Sequence, residues 1–136
     1  MRKMVLVVAT AVAVAAMGGV ASATTYKGKA SVQHNNGNCG HPVEGEPITG
    51  TANFTRKGNL VKVSYKAKDL VPGTAYTLEL FGNGCVFLGD MATFEPNAKG
   101  VGKAKGELTV PAEDTEFFAD AWNGSQGNDS FIVTLP

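Results

Sequence analysis

The stretch NLVKVSYKAK, residues 59–68, alternates strictly between apolar and polar side chains. Successive side chains of a strand point to opposite faces, so Val61, Val63, Tyr65 and Ala67 share a dry face while Lys62, Ser64, Lys66 and Lys68 share a wet one. A helix would place these residues on no single stripe. The segment is therefore a half-buried strand with a basic outer side. Working outward, the same grammar recurs at residues 26–33, at 50–55, and in AYTLELF (75–81), where Tyr76, Leu78 and Leu80 fall together. It continues in CVFLGDMATF (85–94), with a bend expected at Gly89, in GKAKGELTV (102–110), in EFFADAW (116–122) and in SFIVTLP (130–136), where Phe131, Val133 and Leu135 share a face.

Turn chemistry punctuates these runs: RKGN (56–59), VPGT (71–74), FGNG (81–84) and EPNAKG (95–100) carry the Gly, Pro and Asn that tight reversals need. Short strands at regular spacing predict an all-β chain, an antiparallel two-sheet β-sandwich of about 7–8 strands rather than a larger barrel. The longest irregular pieces, 34–47 and 122–130, are where such a scaffold is expected to put its function.

The chain opens with two basic residues, Arg2 and Lys3, an apolar run from Met4 to Val20, and the small residues Ala21, Ser22 and Ala23. That order is the pattern of a secretory signal cleaved after Ala23, giving the division 1–23 signal peptide and 24–136 single domain. An uncleaved anchor is the alternative, because the apolar run approaches the ~20 residues that span a bilayer. Nothing after residue 24 resembles a span, so the mature form is expected to be secreted, extracellular or associated with the cell envelope. Losing Arg2 and Lys3 from 12 basic residues leaves 10 against 12 acidic ones. That balance argues against nucleic acid, whose binding rests on clustered Lys and Arg.

Two cysteines in an exported chain allow one pairing, Cys39 with Cys85, and a disulfide is the first expectation. The competing reading starts from QHNNGNCGHP (33–42), where His34, Cys39 and His41 could ligate zinc or copper if Cys39 were a thiolate. The spacing matches no structural zinc motif, and no cofactor is expected.

The run GTANFTRKGNLVKVSYKAKDLVPGTAYTLELFGNG, with Gly50, Thr51, Ala52 and Phe54 and then Leu70, Pro72, Gly73 and Thr74 around the alternating strand, resembles the first half of chordin-type (CHRD) domains. More faintly it resembles the copper/zinc superoxide dismutase sandwich. In both families the strand after the Pro-Gly turn carries histidines. Residues 76–81 here carry none, so metal-dependent superoxide chemistry is not implied. PGTAY (72–76) and NAKGVGKAKGELTV (97–110) are similar to the neocarzinostatin-type apoproteins, which hold an apolar small molecule in a cleft. Those proteins use four cysteines where this chain has two. What the likenesses imply is a secreted immunoglobulin-like sandwich; an apolar carrier is the alternative function, and it predicts a cleft lined by residues such as Phe81, Phe87, Phe117, Phe118 and Trp122.

Catalytic motifs are absent in form. NGSQG (123–127) lacks the first glycine of a nucleophile elbow, and GVGKAKG (100–106) lacks the spacing of a dinucleotide fingerprint. The acids of PAEDTEFFAD (111–120) read as a solvated turn. The expected function is therefore non-catalytic: an exported binding or structural protein whose partner is an anionic cell-envelope polymer or another extracellular protein. Two candidate surfaces serve it. One is the face of Lys62, Lys66 and Lys68, joined by Lys99, Lys103 and Lys105, against the alternative that these lysines only blunt a sheet edge. The other is the loop of Trp122, Asn123 and Ser125, against the alternative that Trp122 caps the core.

Overall fold

In the computed structural model, residues 8–12, 24–35 and 37–136 are described. Ten strands follow in order: β1 Val8–Val12, β2 Thr25–Asn35, β3 Ile48–Lys57, β4 Leu60–Ala67, β5 Tyr76–Gly82, β6 Val86–Phe94, β7 Gly102–Thr109, β8 Glu116–Trp122, β9 Gly127–Ser130 and β10 Val133–Thr134. A 3-10 turn, Asn83–Cys85, joins β5 to β6. Of the segment read as a signal peptide, only β1 lies within the described residues, and it pairs antiparallel with Thr25–Lys29 of β2.

The strands form one hydrogen-bonded path, β6-β5-β8-β9-β2-β3-β4-β7, antiparallel throughout, with β1 and β10 attached to β2 and β8. The path curls until its two end strands lie side by side, so the sheet is nearly closed like a barrel. Glycines make that seam possible. A Cβ on Gly106 of β7 would stand 2.5 Å from Met91 Cβ of β6, and one on Gly102 would stand 2.4 Å from the Phe94 ring. Both distances are shorter than side chains tolerate, so the close approach of β6 to β7 requires glycine there.

Alternation decides what fills the interior. β4 reads exposed and buried by turns, with Val61, Val63, Tyr65 and Ala67 inside, and β5 sends Tyr76, Leu78 and Leu80 inside. Phe54, Phe117, Val32, Val133 and Leu135 complete a single core. Burying each large apolar side chain is worth about 1.5–3 kcal/mol, which is the force that closes the sheet. Phe94 bridges its open side, stacked on Tyr76 at 5.6 Å and tilted on Tyr65 at 6.3 Å between ring centroids.

The inward face of β3 ends in a charge. Arg56 is 3% exposed and lies 5.4 Å above the Phe117 ring centroid. Its guanidinium donates to the carbonyls of Gly58 (2.9 Å), Leu135 (3.0 Å), Pro111 and Ala112 (3.4 Å each), and Asp114. A planar fork with five N–H donors is the one cation that can serve so many carbonyls at once. Arg56 thus ties the 111–114 turn and the C-terminal segment to the base of the sheet.

The expected turns at 71–74 and 95–100 fall between strands as read, while those at 56–59 and 81–84 begin within the last two residues of β3 and β5. Two expectations are corrected. Residues 122–130 are not one loop, because Gly127–Ser130 form β9, paired with β2 on one side and β8 on the other. Residues 130–136 hold only the two-residue strand β10, although Phe131, Val133 and Leu135 do share the buried side. The bend foreseen at Gly89 corresponds to irregular pairing of β5 with β6, where the register shifts between Leu78 and Glu79 and again between Leu80 and Phe81.

Candidate functional site

Cys39 and Cys85 form the disulfide, with Cα atoms 5.6 Å apart and a sequence separation of 46. Cys39 is therefore no thiolate and cannot join His34 and His41 in a ligand set. Among the described residues no group of three or more His, Cys, Asp and Glu side chains is arranged to hold a metal ion. The bridge pins the loop after β2 across the outside of the sheet as a strap. Gly40 N donates to Asp129 Oδ2 at 2.8 Å, and its carbonyl accepts from Ile132 N at 3.2 Å. The Gln33 side chain accepts from Val43 N at 2.9 Å and donates to the carbonyls of Glu46 (3.0 Å) and Val43 (3.3 Å). Gly40 has φ +74 and a Cβ there would lie 2.8 Å from the Phe118 ring, so only glycine lets the strap sit this low.

Beneath and beside the strap, register assembles two rows on the outer face of β5, β6, β8 and β9. The first is aromatic: Phe87, Phe81 and Phe118 stand opposite one another. Phe81 and Phe118 stack at 4.8 Å, and Phe87 meets Phe81 edge-on at 5.7 Å. The second row is acidic: Asp90, Glu79, Asp120 and Asp129. Asp120 and Asp129 are buried, at 4% and 1% exposed. Burial pushes the Asp129 carboxyl above its usual range, while the Gly40 amide, its own backbone amide, His34 and His41 pull it back. Burial and then Asp90 raise Glu79. Tyr65, behind this row, is raised well above its usual value by burial first, then by Asp120 and Asp129.

The remaining expected residues fall elsewhere. Trp122 ends β8, is 39% exposed, and packs beside Gly127. Asn123 spends its side chain on the turn itself, accepting from the amides of Ser125 (2.9 Å) and Gln126 (2.6 Å), and Ser125 Oγ bonds back to it at 3.4 Å. Of the five aromatic residues expected to line one cleft, Phe81, Phe87 and Phe118 are brought together and Phe117 is set apart from them. Phe117 points into the core, whereas Phe81, Phe87, Phe118 and Trp122 are on the outer face.

The lysines are brought together. The outer face of β2, β3, β4 and β7 carries Lys27, Lys29, Lys62, Lys66, Lys103 and Lys105, all exposed, with Lys68 just beyond the end of β4. Lys99 lies apart, in the turn between β6 and β7. Lys66 stands directly opposite Lys103, Ser64 opposite Lys105, and Lys62 opposite Glu107, with which it forms an ion pair at 3.8 Å. A shallow groove of about 440 Å³ runs among Asn53, Thr55, Lys62, Ser64 and Lys105, and a second of about 470 Å³ touches Thr51, Lys66 and Lys68.

The fold and surface thus define an antiparallel, disulfide-closed β-protein with one basic wall and one acidic, aromatic wall. No protein-family model matches the chain, and no curated protein or solved structure matches it either. Among the described residues no helix is long and apolar enough to cross a membrane.

Proposed function

We propose that this chain is an exported, non-catalytic binding protein, released from its 1–23 signal segment, whose lysine-bearing wall holds an anionic polymer of the cell envelope. In this reading the curled sheet is an immunoglobulin-like sandwich, with β2, β3, β4 and β7 as one layer and β5, β6 and β8 as the other.

One observation carries the functional reading: Lys66 and Lys103 face each other directly on neighbouring strands. Like charges in that position destabilise a sheet, so folding gains nothing from the pair. An anion laid between them converts the repulsion into two attractions. The flanking Lys62, Lys105, Lys27 and Lys29 extend the same potential over four strands. A sheet that needed only a blunted edge would carry its lysines on β7 alone.

The test is equilibrium binding of the mature chain to an immobilised polyanion across a salt series. Replacing Lys66 and Lys103 by Gln should weaken binding about tenfold, at roughly 0.7 kcal/mol per exposed charge. Wild-type binding should also fall as salt rises. Unchanged affinity in the double variant, or binding indifferent to salt, would sink the proposal.

A further inference from the structure

Between the lysines of the basic wall runs a strip without charge. The outward residues of β3 are Thr51, Asn53 and Thr55, with Lys57 only at its end. Their cross-strand partners on β2 are Ser31, Lys29 and Lys27, and on β4 they are Lys66, Ser64 and Lys62. The wall is therefore a trough along β3: an uncharged hydroxyl and amide floor, with lysine banks on either side. Strand spacing puts the two banks about 10 Å apart, and the floor side chains recur about every 6.8 Å along the strand.

This pattern discriminates between kinds of anion. A bare polyanion is held by charge alone, and the most favourable place for a cation is the middle of its track. Here the middle is given to groups that both donate and accept hydrogen bonds: two threonine hydroxyls and an asparagine amide. Such groups match the hydroxyls of a sugar ring, which lysine, a donor only, cannot accept from. The charges are displaced to the banks, where acidic substituents of a chain lying on the floor would project.

We infer that the ligand of this wall is an acidic polysaccharide that lies along β3, its sugar hydroxyls on Thr51, Asn53 and Thr55 and its carboxylate or phosphate substituents on Lys29, Lys62 and Lys66. The inference rests on the proposal that the lysine wall binds an anionic polymer and names that polymer's chemistry. Ser64, opposite Asn53 on β4 and half-buried, widens the floor at its centre. The groove among Asn53, Thr55, Lys62, Ser64, Lys105 and Glu107, whose carboxylate is paired with Lys62, is the deepening this arrangement leaves.

The experiment titrates the mature, disulfide-bonded chain with two probes of matched charge, a polyuronate oligosaccharide and inorganic polyphosphate. Thr51→Val with Thr55→Val keeps the β-branched shape and all lysines, and Asn53→Ala is made separately in case the double variant folds poorly. Both should lose polyuronate affinity, at least about tenfold for the double variant. Both should keep polyphosphate affinity, and amide shifts in wild-type protein should concentrate at residues 51–55 with polyuronate. Unchanged polyuronate affinity in both variants, or wild-type preference for polyphosphate, overturns the glycan inference while leaving the basic wall as a polyanion site. Failure of wild type to bind either probe overturns both.

Discussion

Replacing both Cys39 and Cys85 by Ala tests how the strap and the sheet are held together. The bridge closes a loop of 46 residues. In the chain-entropy model that restricts the unfolded chain by about 13.5 cal/mol/K, or about 4 kcal/mol at room temperature. Both cysteines already sit at positive φ, 52 and 64, and alanine carries the same Cβ, so the backbone cost of those positions is unchanged by the swap. The difference therefore isolates the cross-link. With an unfolding entropy of about 2.1 cal/mol/K per residue over residues 24–136, the variant should melt about 17 °C lower than the oxidised wild type. Calorimetry on the two proteins, without reductant, measures this. Hydrogen exchange adds a local readout, because Gly40 N and Val43 N are bonded to Asp129 and Gln33 and should lose protection when the strap is unpinned. A fall in Tm below about 5 °C, with those two amides still protected, would refute the reasoning. The strap's own hydrogen bonds would then be sufficient to hold it.

Arg56→Met should cost about 3 kcal/mol in a denaturant melt, since it strips donors from five carbonyls and leaves that of Leu135 buried; a loss under about 1 kcal/mol would show that water replaces the guanidinium freely. Asp129 has a folded-state pKa raised above its unfolded value, so its contribution is full below the usual carboxylate range and is lost as pH rises through the folded value. Asp129→Asn, set among Asp120, Glu79, His34 and His41, should therefore gain on wild type in paired urea melts as pH rises above the usual carboxylate range, and a relative loss over that rise would contradict the burial argument. Gly106→Ala should cost about 1–3 kcal/mol by forcing β7 from Met91 of β6, and a thermal melt equal to wild type would mean that the seam gives way without strain.

What the sequence shows of this fold, it shows through alternation. β4 and β5 were legible because apolar and polar residues exchange places at every step, and each turn carries its own Gly, Pro or Asn. β9 was not. Gly127, Asn128, Asp129 and Ser130 have poor strand propensity and no apolar partner in the pattern, and they are extended because β2 and β8 pair with both of their edges. Arg56 had a signal that could have been followed: it continues the inward series Ala52, Phe54 and so had to be buried. The disulfide followed from counting. The strap it creates did not, since the anchoring groups, Gln33 and Asp129, are 96 positions apart.

The surfaces follow the same division. One strand's alternation was enough to place Lys62 and Lys66 on a common face. The like-charge pair with Lys103 and the uncharged floor of β3 exist only once register is known. The row of Glu79, Asp120 and Asp129 is drawn from three separate segments, and no spacing within one segment announces it. Net charge concealed both walls, because 10 basic and 12 acidic residues nearly cancel over residues 24–136. A ligand does not experience that sum. Register sorts the signs instead: Lys62, Lys66 and Lys103 stand on β4 and β7, while Glu79, Asp120 and Asp129 stand on β5, β8 and β9. Asp120 and Asp129 are also buried, so their carboxylates are withdrawn from the surface while the lysines stay exposed. A near-neutral composition and a basic face are compatible because register, rather than the sum of charges, decides which groups share a surface.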